Sequence, residues 1–359
     1  MSAPRHLDYL DALRGYAIFA VIAVHVTTYG HDLPDKLQKL LMSGQCGVQL
    51  FFVVSAITLM QSWNTRQDGA GPFYTRRFFR LAPMWLLFVV GWTALRPLGL
   101  PGWMPNWPGP WDVVLATLFV HGWAPSAINS VVPGGWSIAA EASFYAIFPL
   151  LPAVLTTPLR AVAFAMLTAC LGIVAETLVS PLLAGVDPNL RGSFLYFWFP
   201  NQLQAFALGI VAYQVIRTRT VPRWMAELLV VVALLSTVLL PLATSLGSSG
   251  VYGLQFALLA IGMGSGGGRY LVNDFAKWCG QRSYSAYFWH FAVIGIGGWL
   301  TIGNPYLRYL LCYLVVAGLA FAASDLSYRF IELPGIAFGK RLLARRGGGA
   351  EVAPSTSPT

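Results

Sequence analysis

Ten apolar stretches of close to 20 residues each run through this chain, separated by short segments that hold nearly all of its charge. They lie at about 11–29, 44–62, 81–98, 136–155, 161–180, 194–215, 225–242, 250–267, 283–302 and 308–327. A stretch of that length matches the hydrocarbon thickness of a bilayer when helical. Inside lipid every backbone N–H and C=O must be satisfied within the segment, which a helix achieves by itself. The pattern predicts an all-α, polytopic transmembrane bundle of about ten helices. Only 10% of the 359 residues are charged and 56% are hydrophobic, whereas soluble domains carry about 25% charged residues.

The formal net charge is +9. No basic stripe with interleaved exposed aromatics accompanies it, so no nucleic-acid partner is expected. Its distribution reads instead as a topology signal. With the N-terminus inside, 17 of the 23 Lys and Arg fall in inside segments and 5 (Lys36, Lys39, Arg96, Arg191, Arg308) in outside ones, with Arg14 in the first helix. This asymmetry predicts N-in, C-in. Asp8, Asp11 and Arg14 interrupt any early apolar run, so the first helix is expected to be retained rather than cleaved as a signal.

Residues 1–346 are expected to form one transmembrane domain. Residues 347–359, rich in Gly, Pro, Ser and Thr, are expected to form a disordered cytoplasmic tail. Residues 99–135 read as a long outside loop whose part 112–121 dips toward the membrane or lies on it. Its aromatics Trp103, Trp107 and Trp123 suit sugar stacking or interfacial anchoring equally. Cys46, Cys170, Cys279 and Cys312 are scattered, with no metal-ligand spacing, and read as small membrane hydrophobes. No metal site is expected.

Ionisable residues inside membrane helices are costly and point to function. The first helix carries Arg14 and His25. Eleven residues apart, they share one helix face and are separated by about 16 Å of rise. Arg14 then lies toward the inside and His25 toward the outside. Read alone, Arg14 also suits a snorkelling anchor, and His25 an interfacial histidine bonded to a carbonyl. The fourth helix carries Glu141 about a turn below the outer surface, at a depth like that of His25, where a carboxylate would orient an imidazole as general base. The alternative for Glu141 is a capping or ion-pair role. Arg77 and Arg80 precede the third apolar stretch three residues apart and suit two-pronged phosphate binding or positive-inside anchoring. His290, on the ninth stretch, suits contact with substrate or with a neighbouring helix.

These residues, in this order, resemble the membrane-bound acyltransferase family 3. The segment Leu10–Gly15 with His25 downstream is similar to that family's Arg-x10-His signature. Gly47–Ser55 resembles its second-helix motif, with Gln49 where the family usually has Asp and Ala56 where it has Gly. Arg77–Leu81 resembles its R-x-x-R motif, and Trp136–Tyr145 its W-S-L-x-x-E-x-x-F-Y motif; Ser283–His290 and Ser327–Glu332 are similar as well. The resemblance implies an integral membrane O-acyltransferase of the bacterial inner membrane. It moves an acyl group, usually acetyl, from acyl-CoA to a hydroxyl of a carbohydrate or lipid-linked glycan. His25 and Glu141 would be catalytic. Arg14, Arg77 and Arg80 would hold the acyl-CoA phosphates, and His290, Tyr145 and Ser55 would contact substrate. Acyl-CoA is then a donor substrate, and no permanently bound cofactor is expected. Some family members carry an additional C-terminal hydrolase-like domain, which is not expected here. Direct transfer and a covalent acyl-His route both fit, and the Gln49 departure leaves the role of that position open. The runner-up reading is a glycolipid or acyl-compound transporter, in which the same buried charges serve as a relay.

Overall fold

The computed structural model describes residues 8–27, 32–95, 108–243 and 248–347. Among these residues all regular structure is helical. In chain order the α-helices are α1 (Asp8–Val26), α2 (Asp35–Met42), α3 (Gly47–Arg66), α4 (Ala70–Leu95), α5 (Pro110–Thr117), α6 (Trp136–Ile147) and α7 (Leu151–Val154). They continue with α8 (Pro158–Val179), α9 (Pro188–Phe197), α10 (Phe199–Thr218), α11 (Arg223–Ala243), α12 (Ser249–Gly264), α13 (Asp274–Val293), α14 (Pro305–Ser327) and α15 (Leu333–Gly347). Trp103, Trp107 and residues 348–359 lie outside the described part.

Seven of the described helical segments are long and apolar enough to cross a membrane: Asp8–Val26, Asp35–Arg66, Ala70–Leu95, Trp136–Val154, Pro158–Leu183, Arg223–Leu242 and Pro305–Arg345. Helices also stand at the other three expected positions, as α10, α12 and α13. Their composition explains why they fall short. α12 has only 16 residues. α10 carries Asn201, Gln202, Gln204 and Gln214, and α13 carries Asp274, Lys277, Gln281, Arg282 and His290. Both run through the middle of the bundle: α10 packs against α3, α6, α8 and α12, and α13 against α1 and α14. A helix wrapped by protein needs no lipid-soluble face.

The α1–α13 pair is the most extensive in the bundle. Small residues make it so. A Cβ on Gly280 would fall on the Asp11 carbonyl oxygen, and one on Gly15 on that of Ala276, so the two backbones touch. The helices run parallel, since Lys277 pairs with Asp8 at one end and His290 meets His25 at the other. α3 runs antiparallel to both: Gly47 packs on Ala17 and Val21, and Thr58 bonds to Arg14.

Two features differ from the sequence expectation. The ninth segment, expected at 283–302, begins at Asp274 and ends at Val293. Its first two turns are polar and capped by Asn273, whose side chain accepts from the Ala276 amide at 2.9 Å. After α14 the chain enters a π-turn (Tyr328–Glu332) and continues as α15, which packs on α4 through Phe79 and Phe338. Lys340, Arg341 and Arg345 hide this amphipathic helix from any hydropathy pattern. In the 108–135 segment, α5 is tied to α4 by the Trp85 indole, which donates to the Ala116 carbonyl at 2.8 Å.

Candidate active site

Arg14, Arg77 and Arg80 are 66 residues apart at their extremes, yet they line one cavity, of about 100 Å³. α1 supplies Arg14, the first turns of α4 supply the other two, and Glu141 and Tyr145 of α6 and Ser55 of α3 complete the polar lining. Each group is held in place. Arg14 donates to Asp11 at 2.8 Å and to Thr58 at 2.7 Å. The Arg77 guanidinium lies 5.8 Å over the Tyr145 ring and 5.7 Å over that of Phe73. Arg80 pairs with Glu332 at 3.2 Å and lies 5.8 Å over the Tyr284 ring. One oxygen of Glu141 accepts from the Ser55 hydroxyl at 2.8 Å and from the Tyr145 hydroxyl at 2.5 Å. Arg14 and Arg80 each already face a carboxylate, Asp11 and Glu332, while Arg77 is held by aromatic rings; the guanidinium groups that line the cavity remain the donors suited to an anionic ligand.

His25 stands elsewhere. Its Nδ1 is 2.7 Å from the Val21 carbonyl oxygen and 3.3 Å from Nε2 of His290. Nδ1 of His290 lies 3.2 Å from the Ala286 carbonyl oxygen. Carbonyls only accept, so each ring carries its proton on Nδ1; the one Nδ1–H of His25 is directed to the Val21 carbonyl and shared at longer range with Nε2 of His290. His290 then accepts from His25 on Nε2, and the lone pair of His25 falls on its own Nε2, the atom a general base would use. Aromatic rings surround the pair: Phe291 lies 4.5 Å from the His25 ring and 4.0 Å from the His290 ring.

The expected pairing of His25 with Glu141 is corrected here. Glu141 bonds Ser55 and Tyr145 among the arginines, and the partner of His25 is His290. Depth along a helix axis does not specify the direction in which a side chain faces, and α6 turns Glu141 toward α3 and α4. The two clusters are nonetheless neighbours. Tyr287 lines the arginine cavity, and its ring is 5.8 Å from that of His290. Its hydroxyl donates to the Gly134 carbonyl at 2.9 Å and accepts from Ser137 at 2.9 Å. The lining is otherwise mostly aromatic on that side, with Phe51 and Phe52.

A model of the acyltransferase family, described as an acyltransferase domain, matches residues 7–329. The chain belongs to this family. Among relatives, the O-acetyltransferase OatA of Staphylococcus aureus is 26% identical over 93% of this chain and 58% of its own length. The acyltransferase MdmB of Streptomyces mycarofaciens is 29% identical over 59% of this chain and 58% of its own. A putative O-acetyltransferase of S. aureus is 25% identical over 92% and 57%. The chain thus spans a little under three fifths of the length of these relatives. No solved structure matches it.

Sequence reasoning did not single out several polar residues that stand at or near the cavity. Glu332, fully buried, accepts from the Ser285 hydroxyl and faces Arg80. The π-turn supplies the extra backbone unit that aims it inward, a device frequent at functional sites. The Ser327–Glu332 resemblance was the available signal. Tyr284 and Tyr287 lie in the Ser283–His290 segment, where His290 alone was singled out. His121 is buried as well, stacked 4.9 Å from Trp85 with Nε2 2.9 Å from the Gly135 carbonyl oxygen. Gln49, at the position where Asp is usual, is bonded to another neutral amide, donating to Gln202 at 2.9 Å.

Proposed function

We propose that this protein is an integral membrane O-acyltransferase of a bacterial cytoplasmic membrane, moving an acyl group, acetyl by the names of its relatives, from acyl-CoA to a carbohydrate or lipid-linked glycan hydroxyl. The observation that carries the reading is the arginine-lined cavity set one tyrosine away from a buried histidine pair. Phosphate-rich CoA suits the first, and a base shielded from water suits the second. Charge asymmetry supports a cytoplasmic arginine end, with ten crossings and both termini inside.

In this reading the CoA phosphates sit at Arg14, Arg77 and Arg80, and the thioester extends past Tyr287 toward His25. Nε2 of His25 takes the proton of the acceptor hydroxyl as its oxygen attacks the thioester carbonyl. The C–S bond breaks, and the CoA thiolate leaves and is protonated. His290 holds the His25 ring in the tautomer this requires and shares the charge that develops on it. In the two-step variant Nε2 itself attacks and carries the acyl group until the acceptor arrives. Glu141 is a positioning residue here: it fixes Ser55 and Tyr145 and offsets the arginine charge.

The test is thiol release from acetyl-CoA by protein in nanodiscs supplied with membrane glycan extract. Release that requires both substrates, and that disappears in His25→Ala while the variant remains folded, is the expected result. Substrate movement across the bilayer with the thioester intact would overturn the reading in favour of transport.

A further inference from the structure

A second crevice, of about 510 Å³, opens between α8, α9, α10 and the start of α12. Its polar lining includes Thr168, Glu176, Asn201, Gln204 and Ser249. Such groups are expensive at lipid-facing depth unless something uses them. Asn201 donates to Glu176 at 3.2 Å, joining α10 to α8. Two glycines leave the floor bare for amides: a Cβ on Gly172 would meet Asn201 Oδ1 at 2.8 Å, and one on Gly250 would fall on the Gln204 amide.

The crevice lies at the His25 end of the bundle. Ser249 and Gln49 both donate to Gln202 Oε1, at 3.1 and 2.9 Å. Gln49 is half a turn past Gly47, which packs on Val21, and the Val21 carbonyl is the one bonded to His25. Gln202 and Gln49 thus join the crevice wall to α3, the helix whose opposite face packs on α1 beside Val21. On its outer side the crevice meets lipid-facing surface: Ile173 lines it and is 69% exposed, on a helix that is mostly exposed along its length.

We infer that this crevice is the acceptor site, taking the uncharged sugar headgroup of a lipid-carried glycan that enters sideways from the bilayer. The inference rests on the acyl-transfer reading above. Amide and hydroxyl side chains match sugar hydroxyl and acetamido groups in both donor and acceptor sense. No Lys, Arg or His is among its lining residues and one carboxylate is, so a phosphate-bearing headgroup is disfavoured, in contrast to the arginine cavity.

The experiment uses the whole protein in nanodiscs, with octyl N-acetylglucosaminide as probe and octylphosphocholine as the non-sugar control. Binding is read by native mass spectrometry, and thiol release is measured in parallel. Gln204→Leu removes an amide at nearly constant volume, and Gly172→Ala displaces the Asn201 amide that its Cβ would meet at 2.8 Å. The expected result is that the wild type binds the glycoside in preference to the control. Each variant then weakens glycoside binding by about 10-fold or more, with a matching rise in acceptor KM and no change in donor KM, while His25→Ala binds normally. Equal binding by wild type and both variants, equal binding of the two amphiphiles, or no binding by the wild type would each overturn the inference. Glycoside binding without any thiol release would sink the acyl-transfer reading instead.

Discussion

The two ends of the α1–α13 pair are built on opposite principles. At the Arg14 end, charge faces charge: three guanidinium groups, Glu141 and Glu332 meet around an open cavity and are pinned by hydroxyls and aromatic faces. At the His25 end two neutral-capable imidazoles are enclosed by Phe291, Tyr287 and backbone carbonyls. Recognition of an anion benefits from a wetted, multivalent mouth, because a few charges can be solvated and still bind. Proton transfer benefits from the reverse, since a base enclosed by apolar groups interacts strongly with the reacting atoms and weakly with water. Tyr287, touching both regions, is where the two environments meet.

The largest expected effect is at the histidine end. His25→Ala should lower kcat by about 10²–10⁴-fold, the contribution typical of a positioned general base, with donor KM unchanged in steady-state assays. If donor KM rises instead, the division of labour between the two ends is wrong. His290→Gln should give a smaller loss in kcat, because an amide can still accept from His25 Nδ1; His290→Leu should approach the His25→Ala level.

At the other end the effect should move to KM. Arg77→Ala should raise donor KM about 10–100-fold, the range for losing one charge-assisted bond, and Arg77→Lys should rescue it only in part, as a compact ammonium lacks the planar fork. A fall in kcat at constant KM would place Arg77 with the chemistry rather than with binding.

Stability variants sharpen the same contrast. Glu332→Ala leaves Arg80 without its carboxylate partner and should cost about 3–5 kcal/mol in a detergent unfolding assay. Gly280→Val, whose Cβ would fall on the Asp11 backbone, should cost more than the roughly 1–3 kcal/mol of ordinary overpacking, and should also lower kcat by moving His290 away from His25. The smallest effect is at Asp68, in the turn between α3 and α4, where hydrogen bonding to Arg76 at 2.5 and 2.8 Å holds the carboxylate below its usual range. A depressed folded-state pKa stabilises above the unfolded value, near 4, and the gain is lost as pH falls through the folded one. Asp68→Asn should therefore cost under about 1 kcal/mol at pH 7 and flatten the acid limb of a melting profile.

Much of this molecule was legible in the residues. Length and apolarity fixed the helices that face lipid, because the bilayer punishes any other arrangement of their backbones. Helical periodicity put Arg14 and His25 on one face of α1, and both point into the bundle toward α13 and its neighbours. Motif order led to the family that the match over residues 7–329 shows. The middle helices were harder to delimit, since α10 and α13 are shielded by protein and escape the hydropathy rule. α15 was hidden by its lysines and arginines.

What tertiary structure alone decided was partnership. One sequence supports Glu141 beside His25 at equal depth, yet helix rotation sends Glu141 to Ser55 and Tyr145, and close Gly15 and Gly280 packing brings His290 to His25 instead. Glu332 joins Arg80 only through the π-turn after α14, a single-residue shift no periodicity encodes. The residue types that can do chemistry are written along the chain, because burying them is costly wherever they occur. Which of them meet depends on the rotation and spacing of helices far apart in sequence, and those are set by packing.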